Sequence, residues 1–391
     1  MEAVEIQCEI TISLAVTIST GQDPAFLTTK RLQKPRVLRH TRGMESKNVT
    51  WTAPALSVLL LIAAILTWSA PVRAGDSLFA GDEIFDLIIR VPFTKLMRQA
   101  EDISDVAGRL ELSNGTSIPM TCNKYGISRL RECQLASLEI TVEANDVRGT
   151  PFEGRRTLRL VTPCRLRGGY DRYTVLEYLV YRSYVAITEP ALQVRLVRVH
   201  FQDSEKPAKE ETGYAFFVED IGHAAARGGR VWLDIQSQRT SNLEATQLTL
   251  MTLFQYMVGN TDWSAAKGIP DKRCCHNVAI LGGEGVDLNT VLPFDFDQAG
   301  LVDAPYAVPA ASLDIRRVTE RLYRGLCGHN HLVPAAVAIF NERRSEIEAL
   351  FNREDLPYPP ARQRASKYID GFYDTINDPR KLEKKILSDC R

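Results

Sequence analysis

The densest polar cluster in the chain is Gly259-Asn260-Thr261-Asp262-Trp263-Ser264; Asn277 follows it, and then the run Pro293-Phe294-Asp295-Phe296-Asp297-Gln298-Ala299-Gly300. Phosphoryl transfer uses side chains of these types: a carboxylate to orient the attacking hydroxyl, and a carboxylate with an amide oxygen to hold magnesium against the phosphates. Asp262 can supply the first, and Asn277 with Asp295 the second. Asp295 and Asp297 are two apart, so on a strand both would face one side, which suits a metal site. Taken singly, Asp262 reads as a turn residue and Asp295 and Asp297 as a solvated strand end; the combination in this order favours chemistry.

Regular elements must position these groups. Leu243, Leu250, Phe254 and Met257 recur at helical intervals over Ser241 to Val258, with Ser241 as the expected N-cap and Gly259 as the stop. Two short strands, Asn277 to Leu281 and Thr290 to Phe294, flank Gly282, Gly283 and Gly285, the pattern of a hairpin ending on the acidic run. Upstream, strand-like runs occupy Asp86 to Val91, Leu138 to Val142, Thr157 to Thr162, Val194 to Phe201 and Tyr214 to Glu219. One helix, Asp171 to Tyr184, lies between the third and fourth, with Val175, Tyr178, Leu179 and Ser183 along a face. Ser312 to about Asn377 reads as three helices, divided near Gly328 and by Pro357, Pro359 and Pro360. The expected division is a mostly antiparallel sheet over 80–229 and a helical part carrying the loop and hairpin over 230–391.

Gly259 to Asp262, then Asn277, then Asp295-Phe296-Asp297 resemble the catalytic loop and metal-binding DxD of CotH-like atypical kinases and, more distantly, the corresponding loops of HipA. The strand Thr157 to Cys164 and the segment Leu301 to Ala307 resemble exported bacterial relatives of that group. The resemblance implies an α+β, bilobal protein-kinase-like fold, with a strand-rich N-lobe bearing one helix and a mainly helical C-lobe. It implies Mg2+ and ATP as cofactors, and a protein or small hydroxyl compound as acceptor. Position by position it makes Asp262 the catalytic base, Asn277 and Asp295 metal ligands and Asp297 an assisting carboxylate. Glu177 becomes the partner of a phosphate-binding cation, and Glu219-Asp220 falls near the adenine.

Three features depart from that pattern. Arg159 stands where a phosphate-binding lysine is expected, and arginine grips phosphate through a planar fork rather than as a point charge. The gap from Asp262 to Asn277 carries an insertion with Cys274 and Cys275, and no compact glycine-rich phosphate loop is visible; Arg167-Gly168-Gly169 reads as the turn before the helix. A catalytically silent binding module of the cell envelope is therefore the alternative to an active phosphotransferase. A metal-dependent hydrolase built on Asp295 and Asp297 lacks the usual histidine ligands, with only six His in the chain.

Lys and Arg balance Asp and Glu at 48 each, so no global field draws the protein to nucleic acid. The local run Arg155, Arg156, Arg159, Arg165 and Arg167 could meet phosphate. Residues 53–70 are almost wholly apolar and Val72-Arg73-Ala74 fits a signal-peptidase site before Gly75, so 44–74 reads as a signal peptide starting at Met44 or as an anchor, with 1–43 a mis-assigned start or disordered extension. Either reading exports the body to the periplasm or envelope, with membrane contact only through that segment. An oxidising compartment permits a bridge between Cys122 and Cys133, and Cys274-Cys275 reads as a disulfide or buried thiol rather than a zinc site.

Overall fold

The computed structural model describes residues 78–98, 105–126, 128–206, 208, 210–270 and 272–391; the extension 1–43 and the export segment 44–74 lie outside the described residues. Among the described residues no helix is long and apolar enough to cross a membrane.

Seven strands form the first part: β1 (Phe85–Val91), β2 (Val106–Leu112), β3 (Ser117–Tyr125), β4 (Ser137–Val142), β5 (Thr157–Val161), β6 (Val194–Asp203) and β7 (Glu210–Val218). They close into a barrel in the order β1-β2-β3-β4-β5-β7-β6. Every pairing is antiparallel except β1 with β6, which run parallel from Phe85 opposite Val197 to Val91 opposite Asp203. Alternation sends Leu87, Ile89 and Val91, Ile118, Met120 and Cys122, and Leu158 and Leu160 into the interior, where Val197, Val199, Ala215 and Phe217 complete a dry core. Two of these strands, β2 and β3, are additional to the expected set. Their turn carries Asn114-Gly115, with Gly115 at φ +87°, as a tight hairpin requires.

The bilobal protein-kinase-like fold is thereby corrected: the chain builds a closed seven-stranded mixed barrel with eight helices among the described residues, most of them C-terminal. The closing step is the parallel pairing of β1 with β6, which removes both free edges of the sheet. Alternation in a strand specifies which residues face inward and leaves the neighbour open, so the closure had no local signal.

The short helices α1 (Phe93–Arg98) and α2 (Ser128–Glu132) decorate the barrel, and the long helix α3 (Asp171–Ile187) packs on its outer face. Val161, Val194, Leu196 and Phe216 turn outward there and join α3 in a second core, so β6 and β7 are covered on both faces. Buried positions run round most of α3, Glu177 among them. After α4 (Ile221–Arg227), the strand β8 (Val231–Trp232) joins β9 (Val278–Gly282) and β10 (Thr290–Pro293) in a small sheet of order β10-β9-β8. Helix α5 (Ala245–Val258) precedes the hairpin, and α6 (Val333–Asn352), α7 (Pro359–Ile376) and α8 (Pro379–Leu382) close the chain around α3 and α5.

Two further expectations change. Helix α5 begins at Ala245 after a separate 3-10 turn at Thr240–Asn242, so Ser241 is not its N-cap. Of the three C-terminal helices, two form at full length; 312–326 is irregular and leads into a 3-10 turn at Cys327–Leu332.

Cys122 points into the barrel and is a free, buried thiol, so the expected Cys122–Cys133 bridge is replaced by Cys133–Cys164. Cys327 pairs with Cys390, and Cys274 with its neighbour Cys275. Loops of 31 and 63 residues are closed by the two long-range bridges; chain entropy alone makes each worth about 4 kcal/mol.

Candidate functional site

Helix α5 ends because Gly259 adopts φ +66°, with its amide returning to the helix carbonyls. A Cβ at Gly259 would collide with the Tyr368 hydroxyl, so glycine is required both for the turn and for the close approach of α7. The turn delivers Asn260, whose Oδ1 accepts from the Asp262 amide at 3.0 Å and whose carbonyl accepts from Trp263 Nε1 at 3.1 Å. Arg324 donates to the Thr261 and Trp263 carbonyls at 2.7 and 2.6 Å and lies over the Trp263 ring, so the loop backbone is held from both sides.

Thus anchored, the Asp262 carboxylate has both oxygens engaged. Oδ1 is 2.7 Å from His276 Nε2, and Oδ2 accepts from Asn277 Nδ2 at 3.1 Å. The same Asn277 Nδ2 donates to the Asp262 carbonyl at 2.8 Å, so the Asn277 amide oxygen is left for another partner. Hydrogen bonding to Asp262 raises the His276 pKa, against a smaller opposing effect of burial. Asn277 sits at φ +53° and Asp295 at φ +60°, left-handed positions that Asn and Asp tolerate best. The Phe294 amide donates to the Asn277 carbonyl at 3.0 Å, tying the head of the hairpin to its end.

Asp295 lies just beyond β10 rather than on it, with its amide donating to the Tyr181 hydroxyl at 2.8 Å. Asp297 follows, buried, with Oδ2 3.2 Å from Arg129 Nε. The Arg129 Nη2 donates to Glu177 Oε2 at 2.6 Å, and its Nη1 donates to the Thr162 carbonyl at 2.7 Å. Two carboxylates, Glu177 and Asp297, and one backbone carbonyl thus converge on one buried guanidinium. Burial, reinforced by the neighbouring acids, pushes the Glu177 carboxyl up to about 8 and Asp295 to about 7, and burial raises Asp297 as well.

A cavity of about 420 Å³ opens beside this cluster. Arg159, Glu177, Glu219, Asn277 and Asp295 all line it, while Asp262 joins through Asn277 and Asp297 through Arg129. Val161, Leu192, Val218 and Ile221 give one wall an apolar face, and Lys124, Arg129, Lys272 and Arg273 add cations. Glu177 pairs with Arg129, whereas Arg159 is engaged by Glu139 and Asp220 at 3.4 Å each and lies over Tyr125. Glu219 accepts from Arg227 and from the Gln193 amide, at 3.0 and 3.1 Å, a bond set that fixes the β7 end against α4. The remaining arginines of the basic run disperse: Arg156 meets Glu143, Arg167 meets Glu211, Arg165 stacks on Tyr170 and Arg155 on Phe79.

Sequence reasoning missed Arg129, His276 and Tyr181. Arg129 sits on a five-residue helix with no motif around it. His276 had one available signal, its place immediately before Asn277 in a histidine-poor chain.

Among the described residues no three His, Cys, Asp or Glu side chains form a ligand cluster. Magnesium does not require one, because it keeps several waters and takes one or two carboxylates together with substrate phosphates. The residues present fit that demand: the buried Asp297 Oδ2 has only the Arg129 ion pair, the Asn277 amide oxygen is not committed, and Glu177 and Asp297 share one buried cation. Compared with protein-family models and with curated proteins, the chain matches none.

Proposed function

We propose that the protein is a magnesium-dependent phosphotransferase that takes a nucleotide in this cavity and passes a phosphoryl group to a hydroxyl on a protein or small molecule in the cell envelope. The observation that carries the reading is the meeting of Asp262, Asn277, Asp295 and Asp297 at the edge of a cavity with one apolar wall and several cations. The resemblance of these loops to those of CotH-like kinases supports the chemistry; the reading borrows nothing from that family's fold, which the barrel replaces.

The chain's own groups would divide the work. Asp262, fixed by His276 and Asn277, would orient the acceptor hydroxyl and receive its proton. Asn277, Asp295 and Asp297 would hold magnesium, which when bound neutralises charge on the phosphates. The apolar residues Val161, Leu192, Val218 and Ile221 suit a flat base, and the cations that line the same cavity suit its phosphates. Arg129 would keep Glu177 and Asp297 in register from within the protein.

A second reading, a silent module that binds the same ligand without turnover, draws on one observation: Arg159 is already paired with Glu139 and Asp220. A thermal-shift titration of the full chain with ATP and Mg2+ tests both, with Asp295→Ala as control. Ligand at about 100 times its Kd adds about 2.7 kcal/mol of stability. A magnesium-dependent shift lost in the Asp295 variant supports the site, and phosphate release or transfer then separates enzyme from module. No shift in the folded wild-type chain overturns both.

A further inference from the structure

Of the three disulfides among the described residues, two join segments 31 and 63 residues apart and one joins the neighbours Cys274 and Cys275. A bridge between neighbours closes no loop of the unfolded chain, so restriction of that chain gives it almost nothing to contribute to the fold. Its position is more telling. Cys275 lines the cavity, and the next two residues are His276 and Asn277, which hold the Asp262 carboxylate. Backbone bonds from Cys274 to Ile235, His276 to Lys267 and Ser264 to His276 pin the segment on either side of the bridge.

We propose that Cys274–Cys275 is a thiol–disulfide exchange site in the cavity wall, at which a dithiol reductant opens the bridge and releases His276 and Asn277 from their places around Asp262. One thiolate of the reductant attacks the Cys275 sulfur from the cavity. A mixed disulfide forms, the bond between the two cysteine sulfurs breaks, and its electron pair goes to the Cys274 sulfur, which takes a proton. The second thiol of the reductant then attacks its own mixed-disulfide sulfur, releasing Cys275 as a thiolate that is protonated in turn. The sum is two cysteine thiols and one cyclic disulfide, with two electrons and two protons transferred to the protein.

Only the consequence of this switch rests on the phosphotransferase reading, and the test keeps the two apart. The folded full chain is titrated with dithiothreitol and trapped with iodoacetamide, and each cysteine is scored by peptide mass. Cys274 and Cys275 are expected to become alkylated at reductant concentrations about tenfold below those that open Cys133–Cys164 or Cys327–Cys390. At that point hydrogen exchange should rise at the amides of Ser264, Cys274 and His276 and stay unchanged along α5. The Cys274→Ser/Cys275→Ser variant should show the same exchange pattern without reductant. The proposal is overturned if this bridge opens last, or if its opening leaves those amides as protected as before. Loss of ATP binding on reduction completes the coupling; no ATP binding in either redox state overturns the nucleotide reading and leaves the exchange site standing on its own readouts.

Discussion

Arg129 Nη2 lies 2.6 Å from Glu177 Oε2, with both side chains withdrawn from solvent and the two residues 48 positions apart in the chain. The same guanidinium reaches Asp297 through Nε, so a residue on a small helix beside the barrel joins α3 to the segment that follows the hairpin. A buried charge set of this kind is held together by mutual dependence: each acid is tolerated because the cation is there, and the cation because of the acids.

Replacing Arg129 by Met should therefore cost about 3–5 kcal/mol, because it leaves buried carboxylates without their cation. Urea unfolding reads the loss as a lower midpoint. Combining Arg129→Met with Glu177→Gln should recover part of it, and an unchanged midpoint in the single variant would show that the cluster is not coupled as the distances indicate.

The pH dependence follows from the raised acids. Glu177 and Asp295 hold protons in the folded protein up to about 8 and about 7, while in the unfolded chain they lose them near the ordinary values of 4.5 and 3.8. Between those limits the folded state binds more protons, so without metal, stability contributed by these groups is present at low pH and declines as pH rises toward 8. His276, also raised by its contact with Asp262, acts in the same direction. Magnesium requires the deprotonated acids, so its affinity should increase over the same range, with proton release on binding. Calorimetry in buffers of different ionisation enthalpy measures that release; affinity that is flat from pH 5 to 8 would refute metal binding at these acids.

Asp262→Asn should retain nucleotide binding, since its neighbours Asn277 and Asp295 line the cavity independently, and should reduce transfer about 10²–10⁴-fold, the usual share of a positioned base. Single-turnover transfer alongside ATP affinity separates the two effects. Equal loss of binding and transfer would place Asp262 in loop architecture alone.

Gly259→Ala should destabilise the protein by about 1–3 kcal/mol, because the residue is left-handed at φ +66° and the added methyl meets the Tyr368 hydroxyl. That hydroxyl donates to the Thr319 carbonyl at 3.1 Å, so the disturbance extends to the irregular segment before α6. A thermal midpoint equal to wild type would mean that α7 shifts without penalty.

Cys122 should resist alkylation in the folded state. Burial in the barrel pushes its thiol up to about 12, which leaves almost no thiolate at neutral pH. Iodoacetamide should label it only after denaturation, as read by peptide mass; rapid native labelling would show that the barrel opens.

The amino-acid sequence by itself determined the local elements. The helical interval of Leu250, Phe254 and Met257 with Gly259 behind it specifies α5 and its stop, and the glycines after Leu281 specify the hairpin. It also offered Asp262, Asn277, Asp295 and Asp297 as one set, and the structure brings Asp262 to Asn277 across the intervening insertion and Asp297 to Arg129. The alternation Ile118, Met120, Cys122 is equally present for β3. Only the tertiary structure decided that β1 closes on β6, because strand pairing depends on partners far along the chain. It also decided that Arg129, rather than Arg159, meets Glu177: both are single arginines in unremarkable contexts, and what separates them is that one is carried inward by α2 while the other is met by Glu139 and Asp220 at the cavity rim.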